Sequence, residues 1–279
     1  MVRIDAHHHV WRLARGDYAW LTPALAAIHR DFSLDDLAPL ADGARVDGTV
    51  LVQAAPTVAE TEFLLEIATA RGGFVQGVVG WVDLSARAAI TTLERLATHR
   101  ALRGVRPMLQ DLADAAWILR PEVIATLSAL PALGLRFDAL VTPRELPALL
   151  RALDRLPELS VVVDHGAKPP IASGQREPWR HLIAAVAAHP RVHCKLSGLA
   201  TEAGAEWSAD ALRPWFEHLL ACFGPGRLIW GSDWPVVNLA GGYERWLAAT
   251  QALLEPLTDD DRAAIMGGNA VRFYDLRAP

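Results

Sequence analysis

Val2-Arg3-Ile4-Asp5-Ala6-His7-His8-His9 opens the chain, and Leu228-Ile229-Trp230-Gly231-Ser232-Asp233-Trp234-Pro235 lies near its other end. Each is a short apolar run that ends in polar side chains. The first reads as a strand over Val2–Asp5 and the second as a strand over Leu228–Trp230. Side chains of extended backbone alternate with a period of two, so His7 and His9 share a face and His8 points away. Two imidazoles on one face of a strand end can bind a metal, polarise a carbonyl or move protons. They can also do no more than hydrogen-bond in a barrel mouth. Asp233 enters a turn bounded by Gly231 and Pro235, where it can orient or deprotonate water, or simply cap the next helix. Asp5 before the histidines and Val10-Trp11 after them read as native sequence rather than a purification tag.

Six further runs between these two read as strands: Gly48–Gln53, Phe74–Trp81, Leu102–Arg106, Leu135–Ala139, Ser160–Asp164 and Val192–Leu196. Most are apolar without strict alternation, as expected of strands covered on both faces. The segments between them read as helices: Glu60–Arg71, Ala88–His99, Pro143 to Leu153, Arg180–Ala188 and Ser208–Cys222. Eight strand–helix units predict an α/β fold, a (β/α)8 barrel of the TIM type, as a single domain over residues 1–279. Barrel closure makes the first and last strands neighbours, which would bring the His7/His9 pair to Asp233. Asp111–Trp117 and Lys168–Glu177 read as loops rather than domain boundaries.

The chain has 279 residues, 52% hydrophobic and 21% charged, with a formal net charge of -5. That length suits one closed barrel, and the composition excludes a disordered chain. No basic run suggests a nucleic-acid surface, and no segment is apolar enough over its length to span a membrane. Cys194 and Cys222 are too few for a disulfide framework. The chain enters its first strand without the apolar stretch of a signal peptide, so a cytoplasmic protein is expected. Homo-oligomerisation is left open.

Other predicted strand ends add polar groups. Val161-Val162-Val163-Asp164-His165-Gly166-Ala167-Lys168 places an acid, an imidazole and an ammonium together. Adjacent strand residues face opposite ways, so His165 is the mouth-facing choice and Asp164 a support or loop cap. Lys168 reads as a contact to a substrate oxygen or as a surface ion pair. Lys195, inside an apolar strand, demands a partner or water access. Arg106 offers a forked contact to polarised oxygens. Gln53 reads as a donor to substrate, Trp81 as an apolar pocket wall, and Asp138 as a hydroxyl acceptor or a partner of Arg106. Each has an ordinary packing alternative. Tyr18 and Trp20 are weaker candidates for covering the mouth.

Asp5-x-His7-x-His9-Val10-Trp11, Arg103-Gly104-Val105-Arg106, Asp164-His165-x-x-Lys168-Pro169, Cys194-Lys195-Leu196-Ser197-Gly198, Gly231-Ser232-Asp233-Trp234-Pro235 and Gly268-Asn269-Ala270 occur in order. This set resembles the amidohydrolase superfamily, more narrowly its lactonase branch of fuconolactonases and pyrone-dicarboxylate lactonases. The resemblance spans nearly the whole chain. It implies a distorted, metal-dependent-hydrolase-like barrel that hydrolyses a small lactone, preferentially a sugar lactone, to its hydroxy acid. It implies Asp233 as general base, with His7, His9 and His165 around the reacting carbonyl and water. Arg106 and Lys195 become oxyanion or substrate contacts, beside Lys168, Gln53, Trp81 and Asp138. Two-metal relatives carry a modified lysine where this chain has Asp138, so the resemblance implies no metal or one divalent ion, such as zinc, on His7, His9, His165 and Asp233. The alternatives are a metal-dependent decarboxylase of an aromatic or unsaturated acid, and a sugar-acid binding barrel without turnover.

Overall fold

The structure is a computed structural model that describes residues 2–71 and 73–277. Residues 1, 72, 278 and 279, within the single domain expected from the sequence, lie outside that description. Eight strands run in chain order around one sheet: β1 Ile4–His8, β2 Gly48–Val52, β3 Val75–Gly80, β4 Leu102–Val105, β5 Arg136–Ala139, β6 Val161–Val163, β7 Val192–Leu196 and β8 Leu228–Trp230. Neighbours from β1 to β8 pair in parallel. The expected (β/α)8 architecture is therefore present. The strands are mostly trimmed at one or both ends, whereas β1 starts later than read and runs on through His8.

Helices form where apolar side chains recur on one face. In Leu146–Arg155 the buried Leu146, Leu149, Ala152 and Leu153 join the main hydrophobic core while Arg151 and Asp154 are exposed. Thr57 starts Val58–Ala70 by accepting the Glu60 amide at 3.0 Å, a conventional N-cap. Pro147 sits in the first turn of its helix, where its missing N–H costs nothing.

The seam between β8 and β1 is what distorts the barrel. These two strands do not form a continuous ladder; they meet at one bridge, His8 with Trp234, beyond the end of β8. There the Asp233 amide donates to His7 O at 2.7 Å and the His9 amide donates to Trp234 O at 2.7 Å. The Asp5 carboxylate adds a bond from the Ser232 amide at 2.8 Å. Lower down, the turn Ala264–Gly268 contacts both strands, and the Asn269 amide donates to Pro225 O at 2.7 Å and Leu228 O at 2.6 Å. The C-terminal helix Asn269–Tyr274 then closes the barrel floor, packing Phe273 and Tyr274 with Ile4, Val50, Val52, Val79, Val162 and Ile229.

Gly231 is required by this closure, because a Cβ there would lie 2.6 Å from His7 Cβ and 2.9 Å from His7 N. Backbone cannot yield as a flexible side chain can. Gly231→Ala is expected to cost about 1–3 kcal/mol of stability, the usual range for overpacking, and to lower the thermal midpoint. An unchanged midpoint in a thermal melt would show that the seam is looser than described.

Candidate active site

The seam puts β1 and the turn after β8 side by side, and the functional groups follow from it. Asp233 Oδ1 lies 3.4 Å from His9 Nε2, 3.7 Å from His7 Nε2 and 3.9 Å from His165 Nε2. Three imidazoles thus converge on one carboxylate oxygen, all of them nearly or wholly buried. Asp233 adopts φ +58°, a left-handed conformation that non-glycine residues seldom take. Its amide bond to His7 O, and the bond its own carbonyl accepts from the Val237 amide at 2.9 Å, hold it there. Strain fixed in this way is common where geometry serves function.

His165 is delivered by a second unusual segment. His165, Gly166, Ala167 and Lys168 all have positive φ, from +48° to +60°. This left-handed turn defeats the alternation expected of an extended chain. Asp164 faces inward two residues beyond the interior Val162, with its carboxylate 3.3 Å from Arg106 and 3.5 Å from His7 Nδ1, and the turn brings His165 to the same side. The His165 ring is held through Nδ1 by Ser197 Oγ at 2.8 Å. Gly198, at φ +65°, leaves room for that ring, since a Cβ there would sit 2.6 Å from it.

His9 is set differently. Its Nδ1 lies 2.8 Å from Val52 O, an acceptor only, so Nδ1 carries a proton and Nε2 faces the Asp233 carboxylate. Trp11 stacks beside the ring, with centroids 6.4 Å apart.

Burial pulls the His165 imidazole down to about 4, against the opposing pull of Asp233 and Asp164. It is therefore neutral at neutral pH. Burial works to raise the Asp233 carboxyl, but the imidazoles of His165, His9 and His7 outweigh it and hold it well below the ordinary carboxylate value. The centre is an ionised carboxylate inside a cage of polar rings, an arrangement able to orient water and stabilise charge.

A charged layer lies beneath. Lys195, expected as a substrate contact, is instead wholly enclosed: its ammonium is 2.6 Å from Asp138 Oδ2, 3.0 Å from His7 Nδ1 and 3.1 Å from Asp164 Oδ1. Asp138, expected to face a hydroxyl or Arg106, instead accepts from Lys195 and from the Tyr274 hydroxyl at 2.7 Å. Burial raises the Asp138 carboxyl to about 6 against the pull of Lys195. Burial also works to raise Asp164, but Lys195, His7 and Arg106 hold it well below its ordinary value. Gln53 is turned away from a substrate role as well. Its amide donates to Arg106 O at 2.8 Å, and Arg106 returns bonds to the Gln53 main-chain and side-chain oxygens. Arg106 Nη1 lies 3.3 Å from Asp164 Oδ2 and 3.4 Å from His7 Nε2.

Lys168 stays at the rim, 3.7 Å from Glu202, with both side chains about a quarter exposed. Glu202 escaped the sequence reading; the only hint was an acid shortly after the Ser197-Gly198 turn. Trp81 lines a cavity of about 490 Å³ with Trp20, Pro56, Pro107, Met108 and Trp117, rimmed by Asp17, Asp83 and Asp111. It lies over the ends of β2, β3 and β4.

The amidohydrolase family model matches residues 4–276. The chain belongs to the amidohydrolase family. Among curated amidohydrolase relatives, it is 49% identical to the L-fucono-1,5-lactonase of Burkholderia ambifaria, over 99% of this chain and 97% of that one. It is 36% identical to the L-fucono-1,5-lactonase of Burkholderia multivorans, over 100% and 97% of the two chains. A zinc-bound crystal structure of a Burkholderia multivorans amidohydrolase superimposes with a TM-score of 0.93 at 35% identity, covering 99% of this chain and 100% of that one.

Glu60 holds the end of β2, and hence the strand that anchors His9. Its carboxylate accepts the Ala54 amide at 3.0 Å and the Ala55 amide at 2.7 Å. Burial raises it from 4.5 to about 7, with Asp17 adding to the rise and the amide bonds opposing it. The folded protein therefore keeps a proton between those values that the unfolded chain has lost. This favours folding fully below 4.5, and the contribution is lost as pH rises through about 7. Glu60→Gln should flatten that dependence. Relative to the parent, its thermal midpoint should rise from the acid to the alkaline side of the window. A constant difference between the two proteins would contradict the assignment.

Proposed function

We propose that the protein is a lactonase that hydrolyses a six-membered sugar lactone of the L-fucono-1,5-lactone type to its hydroxy acid, without a required metal. The observation that carries this reading is the convergence of His7, His9 and His165 on the ionised Asp233 at the mouth of the barrel. The names of the Burkholderia relatives, aligned over essentially the whole chain, support the substrate class.

In this reading Asp233 orients a water molecule and takes its proton as the oxygen attacks the lactone carbonyl. The developing oxyanion faces Arg106 and His7, whose N–H groups supply the electrostatic stabilisation that such reactions depend on. Collapse breaks the bond between the acyl carbon and the ring oxygen, and the proton returns to that oxygen as it leaves as a hydroxyl. His9 and His165 flank the water side. Sugar hydroxyls suit the Lys168–Glu202 pair at the rim, and the tryptophan-lined cavity beside Trp81 suits the apolar face of the ring, with acids placed to accept hydroxyl protons.

By residue type, His7, His9, His165 and Asp233 could supply the ligands of one zinc ion, but the ligand atoms cluster as two overlapping sets, His7 with His9 and Asp233, and His7 with Asp164 and His165. The ring of His7 does not fit that set, because its Nδ1 faces the Lys195 ammonium, a donor only, which leaves the proton of the neutral ring on Nε2, the nitrogen toward Asp233. We further read the chain as one barrel domain. The two cysteines are thiols, which supports a cytoplasmic setting.

A pH-indicator screen across aldonolactones, L-fucono-1,5-lactone among them, and across pyrone dicarboxylates tests the proposal. Acid release from the sugar lactones is expected, with Asp233→Asn slower by about 10²–10⁴ as for a lost general base. No acid from any lactone would overturn the activity, and equal turnover by both proteins would overturn the base.

A further inference from the structure

The ammonium of Lys195 has three N–H bonds, of which one meets Asp138 Oδ2 at 2.6 Å and one His7 Nδ1 at 3.0 Å; Asp164 Oδ1, 3.1 Å away, pairs with its charge without taking a hydrogen bond. All four side chains are wholly enclosed, so no water competes for these places. A proton on His7 Nδ1 would set an N–H against an ammonium N–H at that separation, in a setting where electrostatic conflict is expensive. Nδ1 must then be the lone-pair nitrogen, and the proton of the neutral ring sits on Nε2, on the Asp233 side. Arg106 Nη1, 3.4 Å from Nε2, is a rival donor, but at longer range and already donating to Asp164 Oδ2 at 3.3 Å.

From this we infer that Lys195 is a positioning residue that fixes His7 as an Nε2–H donor and so removes it from the set of metal ligands. His9 is held differently, its Nδ1 proton going to Val52 O. The two imidazoles of the opening motif are therefore not equivalent: Lys195 excludes a proton from Nδ1 of His7, whereas Val52 O takes one from Nδ1 of His9. In metal centres a ligating histidine gives its other N–H to a carboxylate or carbonyl. Asp164, 3.5 Å from His7 Nδ1, is placed to be that carboxylate, and Lys195 prevents it from taking the role. Only the identity of the oxygen that receives the His7 proton rests on the lactonase reading; the tautomer itself does not.

Nitrogen-15 NMR of histidine-labelled protein decides the matter, with His7 assigned by loss of its signals in His7→Gln. The unsubstituted protein should show a protonated Nε2 and an unprotonated Nδ1 on His7. In the charge-balanced variant Lys195→Met/Asp138→Asn the pattern should reverse, as Asp164 takes the Nδ1 proton. Titration calorimetry with zinc should then show binding roughly 10–100-fold tighter than in the parent, the scale on which such supporting bonds act. A protonated Nδ1 in the parent, or equal zinc affinity in a folded variant, would overturn the inference. The parent spectrum stands alone if the variant does not fold. Because neither readout is turnover, failure here is distinguishable from failure of the lactonase assignment.

Discussion

Two main-chain hydrogen bonds, from Asp233 to His7 O and from His9 to Trp234 O, carry the chemistry of this barrel. β8 is only three residues long and never forms a ladder with β1, so these bonds join the ends of the sheet where side chains matter most. They set Asp233 in its left-handed conformation and aim it at the two histidines of β1. The absent side chain of Gly231, the bond from Ser232 to Asp5 and the Asn269 amide all serve the same join. A seam that a continuous ladder would have made rigid is closed by local devices.

Below the seam the barrel is layered by polarity. The floor is apolar and sealed by Phe273 and Tyr274. Above it lie Asp138, Lys195, Asp164 and Arg106, buried charges that are tolerable because each has partners. Deleting one member of such a set costs about 3–5 kcal/mol, since the charge left behind is uncompensated. The imidazoles and Asp233 form the top layer. This order lets fixed charges act on the rings from beneath, while the groups proposed to react face the mouth.

Much of this was legible in the sequence. The strand–helix rhythm predicted eight parallel strands, and closure predicted that residues from the two ends of the chain would meet. The period-two rule placed His7 and His9 on one face. It could not anticipate the left-handed turn from His165 to Lys168, which brings His165 inward beside Asp164. Nor could strand position separate the rim from the layer beneath. Lys195 and Asp138 look like mouth residues in one dimension, yet Tyr274, from a C-terminal helix that no strand pattern announces, reaches up to bond Asp138. Gln53 likewise reads as free until Arg106 is folded onto it. Glu60 and Glu202 are ordinary helix acids in sequence; only burial and the neighbouring loops give them meaning.

The central claim is that the seam sets Asp233 and its imidazoles around the acyl carbon of a lactone. The most direct measurement is a crystal structure with the hydroxy acid product bound. The account predicts its carboxylate carbon beside Asp233, with one carboxylate oxygen within hydrogen-bond reach of His7 Nε2 or Arg106 and the hydroxyls toward Lys168, Glu202 and the tryptophan-lined cavity. A product seated with its carboxylate in that cavity or at the rim, away from Asp233, would contradict it.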